Sequence, residues 1–264
     1  RLDSQYAAAA IVTDSQRKPS FADLKQAVAD LGKQLVVSTD GKGDYRSIQE
    51  AIDAAPPKSV IEIRGNGPFY EKLAIPANRP NLVLRGGEGF WPQISSGGAG
   101  GTISELVTVS GSGATLERLV LTHPDSAGSV LVAHVPCRMR QVILTGSKTR
   151  PEFNAGVEMD TVFCATEYNL IARTRASTIR NSILLSGVDL SGAASMEIAN
   201  LLVGGSGADI RCPAKLSQCI LLGPVTLHSQ GSSVFNAVIC GDLKALQAGC
   251  KIEYCNLADG KFVD

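Results

Sequence analysis

Few residue clusters in this 264-residue chain have the types and spacing for chemistry. Seven cysteines and three histidines, His123, His134 and His228, are the soft metal ligands. No Cys-x-x-Cys pair occurs, so metal binding is set against buried small thiols, and no metal is expected. Phe90-Trp91 offers a sugar-stacking platform at Trp91 or, alternatively, a loop that plugs a core. The run Ser95–Gly101 is rich in glycine, but no Lys-Ser or Lys-Thr follows it. A phosphate cradle is therefore weaker than a plain loop. Asp189, Asp209 and Arg211 would suit calcium-assisted cleavage of a polysaccharide if the fold brought them together, although no motif demands it. Asp189 alone also reads as an ordinary turn aspartate.

The elements that would position these residues change along the chain. Ser20 and Asp23 open a helical pattern with Phe21, Leu24, Val28 and Leu31 on one face, and Gly32 follows it. That predicts an amphipathic helix over 20–31. From residue 35 the rhythm becomes short apolar strands such as 35–38, 60–64, 82–85 and 107–110. A second helix begins at Ser47, where Ser47-Ile-Gln-Glu50 reads as a capping box, and Pro56-Pro57 ends it. Such a helix suits the open end of a solenoid, which otherwise exposes a sheet edge.

The second half carries a repeat. Apolar triplets end at Thr122, Thr145, Thr166, Ser186, Gly204, Gly223, Gly241 and Asp259, spaced 18–23 residues apart. The residue before each marker is apolar in all eight: Leu121, Leu144, Ala165, Leu185, Val203, Leu222, Cys240 and Ala258. So is the residue before that: Val120, Ile143, Cys164, Leu184, Leu202, Leu221, Ile239 and Leu257. A period near 20 means stacked units, and a parallel β-helix of roughly ten coils fits it best. Two adjacent apolar columns conflict with strand alternation. A bend that buries both is the favoured solution, and an outer apolar stripe covered by a partner is the other.

The segment 37–89 resembles the opening of pectin methylesterases and related β-helix proteins. The resemblance rests on Gly-Lys-Gly-Asp-Tyr at 41–45, the helix ending in Ala-Pro, Tyr70-Glu71-Lys72, and Leu-Val-Leu-Arg-Gly at 82–86. It implies a single-stranded right-handed parallel β-helix with an N-terminal capping helix. It also implies ester chemistry in which one Asp attacks and a second Asp exchanges protons. In that scheme Gln side chains hold the oxyanion and an Arg steadies the nucleophile. Ser186–Gly192 resembles the nucleophile run and puts Asp189 in the attacking role. Glu167-Tyr168-Asn169-Leu170 stands where Gln-Asp-Thr-Leu is expected, so Tyr168 replaces the acid and Glu167 the glutamine. Asn154 and Arg211 are candidates for the remaining polar, ligand-binding roles. A phenol is a poor substitute for a carboxylic acid. A glutamate at an oxyanion position repels the charge that develops there.

Asp14–Leu24 resembles the last helix of a serine/threonine kinase domain, with no kinase catalytic motif after it. Residues 1–34 are accordingly read as a helical segment or linker, and 35–264 as the β-helix domain. The 25 basic and 25 acidic residues cancel, so no nucleic acid is expected, and no apolar run is long enough for membrane insertion. The odd cysteine count and the absence of a secretory signal point to a cytoplasmic protein. The missing initiator Met suggests a fragment or processed chain. The leading functional expectation is a non-catalytic module that binds a polysaccharide or a protein partner within a larger, kinase-associated protein. No cofactor is expected. The alternative is a divergent carbohydrate-active enzyme.

Overall fold

A computed structural model describes residues 32–97, 104–124, 128–173, 176–192, 195–205, 207–258 and 260–263. The predicted helix over 20–31 and the kinase-like run lie outside them. The rest is a parallel β-solenoid. One sheet has 15 strands, the other 10, and every strand pairing is parallel. Among the described residues no helix is long and apolar enough to cross a membrane.

The N-terminal end is closed by the motifs that carried the family resemblance. In the 41–45 turn, Asp44 accepts a hydrogen bond from the Val36 amide through its carboxylate. The amides of Asp44 and Tyr45 donate to the Val36 carbonyl. The edge of the first strand, Gln34–Val37, is thus occupied. Helix α1, Ile48–Ala54, buries Ile48, Ala51 and Ile52 against the first strands of both sheets. Ser47 caps it as predicted, accepting from the Glu50 amide. Glu71, rather than Glu50, takes the neighbouring donors of the first turn. Its carboxylate accepts from the Ser47 hydroxyl at 2.7 Å and from the Ile48 and Gln49 amides at 3.1 and 3.0 Å. The Gln49 amide group then bonds the N–H and C=O of Ala74, standing in for a neighbouring strand at the edge of Leu73–Ile75.

Each later coil turns its corner at one residue in the left-handed region. Arg118, Gln141, Thr161, Asn181, Asn200, Gln218, Asn236 and Tyr254 all have φ between 51 and 59°. This bend exists, but it does not bury both apolar columns. The inward column is Leu121, Leu144, Cys164, Leu184, Val203, Leu221, Ile239 and Leu257. Its neighbour, Val120, Ile143, Phe163, Ile183, Leu202, Ile220 and Val238, faces outward, with Ile183, Ile220 and Val238 about two-fifths exposed. The repeat alignment slips by one residue at three places, between Thr145 and Thr166, between Ser186 and Gly204, and between Gly204 and Gly223. Coil length changes at each, which mixes inner and outer residues in the predicted columns.

The outer face of the larger sheet carries charge of alternating sign up the stack. Glu62, Arg85, Glu117, Arg140, Asp160 and Arg180 are successive register partners. A one-coil slip would set like charges side by side, so the ladder specifies register as well as solubility.

Candidate functional site

The ten-stranded sheet positions the candidate site. Its outer face carries one column of register partners: Glu152, Ile171, Asp189, Asp209, Thr226 and Lys244. Within each strand the flanking residues point inward, as Val188 and Leu190 do around Asp189, both fully buried. Strand alternation therefore forces Asp189 outward.

An open groove of about 930 Å³ crosses this face. Its lining includes Arg150, Thr166, Glu167, Tyr168, Asn169, Ser186 and Asp189. The structure thus brings three of the predicted residues together: Asp189, Tyr168 and Glu167. Asp189 is half-buried there. Its register neighbour on the preceding coil is Ile171, not Tyr168. Tyr168 sits three residues earlier, at the corner, and its side chain is 45% exposed. Its backbone is pinned, with the amide donating to the Thr149 carbonyl and the carbonyl accepting from the Thr166 hydroxyl. Glu167 is occupied differently from the expectation. Its Oε2 accepts from the Lys148 amide at 2.7 Å, which makes it a turn cap between coils.

Arg150 was not anticipated. Carrying the Glu152–Ile171 register back two residues sets Arg150 opposite Asn169. That relation was hidden in the sequence until the coil length was known. Its guanidinium contacts Glu152 at 2.7 Å. Burial pushes the Glu152 carboxyl up. The hydrogen bond and charge of Arg150, with the Ser129 hydroxyl, outweigh this and hold it below the usual range.

Asn154, Trp91 and Arg211 do not line the groove. Asn154 follows the strand Thr149–Phe153, where its amide donates to the Ala133 carbonyl. Trp91 is 43% exposed, so it does not plug the core. Its amide donates to Asn66 Oδ1, several coils from Asp189. Arg211 lies one coil beyond Asp189 and bonds Asp209 Oδ2 at 3.0 Å. That bond and the charge of Asp209, and more weakly the charge of Asp189, push the guanidinium pKa above its ordinary value. Asp189, Asp209 and Arg211 therefore do converge. Among the described residues, however, no three His, Cys, Asp or Glu side chains are arranged to hold a metal ion. The cysteines carry no bond to one another, and four are buried. Burial pushes the Cys137 thiol up to about 12, which makes it inert.

No family model matches the sequence. Local matches exist to plant pectinesterases. A Daucus carota pectinesterase is 31% identical over 103 residues, 36% of this chain and 32% of that protein. Pectinesterase 2.1 of Solanum lycopersicum is 36% identical over 72 residues, 26% of this chain and 13% of that protein. The matched chain spans less than a third of the length of these relatives. The solved pectin methylesterase from carrot aligns over 87% of this chain and 82% of its own, with a TM-score of 0.46 and 16% identity. The chain is thus a parallel β-solenoid with local sequence similarity to pectinesterases.

Proposed function

We propose that this chain is a divergent carbohydrate-active esterase of the pectinesterase type, acting on an esterified glycan laid in the groove across Asp189. The observation that carries this reading is the meeting of Asp189, Tyr168 and Arg150 in one open groove. A carboxylate is a competent nucleophile towards an ester carbonyl when a cation stands near the developing oxyanion. Arg150 is the groove's cation, and the exposed Tyr168 ring is a flat surface for a sugar to stack on. The local likeness to pectinesterases supports the same chemical class. It makes the divergent enzyme a better reading than the purely binding module that the altered motif suggested.

The test is release of methanol from methyl-esterified polygalacturonate by the purified chain, beside Asp189→Asn. The expected result is release above the enzyme-free rate, reduced by about a hundredfold or more in the variant. Equal release by both proteins would sink the assignment of Asp189.

One observation favours a second reading, a glycan-binding module without turnover. Glu167 is spent on the Lys148 amide, and the preceding coil sets Ile171 rather than a carboxylate beside Asp189. Saturable binding of the polymer with no methanol release would select that reading. The kinase-like run at 14–24 supports a separate proposal, that the solenoid follows a kinase domain in a longer polypeptide. The upstream reading frame tests it.

A further inference from the structure

The preceding coil sets Ile171 beside Asp189 and ties its groove carboxylate, Glu167, to the Lys148 amide, but the following coils hold an acid–base pair. Asp209 is the register partner of Asp189, on the same outer face. It is gripped from two sides. Its Oδ2 accepts from Arg211 at 3.0 Å, and its Oδ1, shut off from water and without an aligned hydrogen bond, lies 2.8 Å from Nε2 of His228. His228 follows the strand Val225–Leu227 one coil further on, so its ring reaches back over a coil boundary to Asp209. The side chain remains 31% exposed. Two residues of unlike type on successive coils thus form a pair that neither the turn at 228–229 nor the strand pairing needs for its own bonds.

We propose that the Asp209–His228 pair is the proton-exchanging unit for chemistry at Asp189, moved from the coil before the nucleophile to the coils after it. This rests on the esterase reading. The Asp209 carboxylate lies beside Nε2 and favours the charged imidazole by its own charge, which leaves Nδ1 as the nitrogen that exchanges a proton with the groove. Asp189 Oδ attacks the ester carbonyl carbon, and the bond from that carbon to the alkoxy oxygen breaks. The departing alcohol takes the Nδ1 proton of the charged imidazole. A water then attacks the acyl–Asp189 carbon and gives a proton to neutral Nδ1. The acyl–Asp189 bond breaks, releasing the carboxylic acid and restoring the Asp189 carboxylate and the charged imidazole. Ester and water are consumed, acid and alcohol are formed, and the protein ends as it began. His228 is the catalytic residue here. Asp209 acts through it as a positioning residue, and Arg211 holds Asp209. The charged groups around the ring are Asp209 and Arg211 on the preceding coil, Asp189 beyond them, and Lys244 on the following coil.

The experiment measures methanol release against pH for wild type, His228→Gln, Asp209→Asn and Tyr168→Phe, with thermal melts of each to verify folding. In His228→Gln the expected result is a fall in kcat of about a hundredfold with KM little changed. One limb of the pH profile of kcat is lost with it. Asp209→Asn, which keeps the shape but not the charge, lowers kcat by about tenfold or more without the KM change of a binding defect. A folded His228→Gln with wild-type rate and profile would overturn this inference and leave the esterase reading intact. Loss of the same limb in Tyr168→Phe instead would return the proton donor to the preceding coil, with the same consequence. No methanol release by wild type would remove the esterase reading itself, and this inference with it.

Discussion

Asn200 Nδ2 donates to Asn181 Oδ1 at 3.0 Å, from one coil to the coil before it. Asn181 continues the chain, donating to Asp160 Oδ1 at 2.8 Å. Both asparagines stand at the corner position, with φ of 53 and 51°. The ladder therefore joins two requirements at one residue type. Asn tolerates the left-handed backbone that the corner imposes, and its amide group bonds both neighbours in the stack.

Thr161 fills the same corner one coil earlier, at φ 59°. A β-branched residue is strained in that conformation by about 1–2 kcal/mol. Its hydroxyl recovers only an exposed bond to the adjacent Asp160 at 3.2 Å. Thr161→Asn is expected to raise stability by about 1 kcal/mol, read from urea unfolding. A loss of stability would show that the corner is not limited by backbone strain.

Ile220 and Leu221 are adjacent, yet they differ completely in burial, at 44% and 1% exposed. Leu221→Ala should cost about 2–5 kcal/mol, because it opens a cavity in the inner column. Ile220→Ala should cost under about 1 kcal/mol, because its side chain is already partly in water. Comparable losses would mean that the register is shifted by one residue, since a one-residue slip exchanges the two faces.

Glu62 links the acid side of stability to the charge ladder. Burial pushes its carboxyl up, but hydrogen bonds from Arg64 at 2.9 Å and Arg85 at 3.0 Å hold it below the ordinary value of 4.5. A depressed folded pKa stabilises above the unfolded value and is lost as pH falls through the folded one. Melting temperature should therefore drop as pH falls below 4.5. Glu62→Gln should be less stable than wild type near neutrality and show a shallower drop in acid. Parallel curves for the two proteins would remove Glu62 from the acid transition.

Much of the architecture was legible without coordinates. The period near 20 predicted a solenoid because each coil must place one apolar residue in the shared interior, whatever its loops do. The motifs at 41–45 and 70–72 marked the N-terminal end, and their role there is physical. Asp44 and Glu71 occupy backbone groups that a first coil and a capping helix leave unpaired. The corner residues were not legible. Arg118, Gln141, Thr161 and Tyr254 share a backbone conformation but no side-chain chemistry, so no residue pattern marks them.

The candidate site divides the same way. The sequence by itself placed Asp189 in a turn after an apolar run and, by resemblance, set Tyr168 and Glu167 where an acid and a glutamine are expected; the structure puts Asp189 inside the strand Val188–Gly192 instead. The sequence also determined the cancelling charge and the apolar repeat. Only the tertiary structure decided which residues stand next to Asp189, because neighbours in a parallel stack are set by coil length. A difference of one residue per coil moves every contact by one position and to the opposite face. That is why Ile171 and Asp209, rather than Tyr168, flank Asp189 along the strand stack. It is also why Arg150 joins the groove while Asn154 does not. The pairing of Asp209 with His228, 19 residues apart, follows from the same stacking.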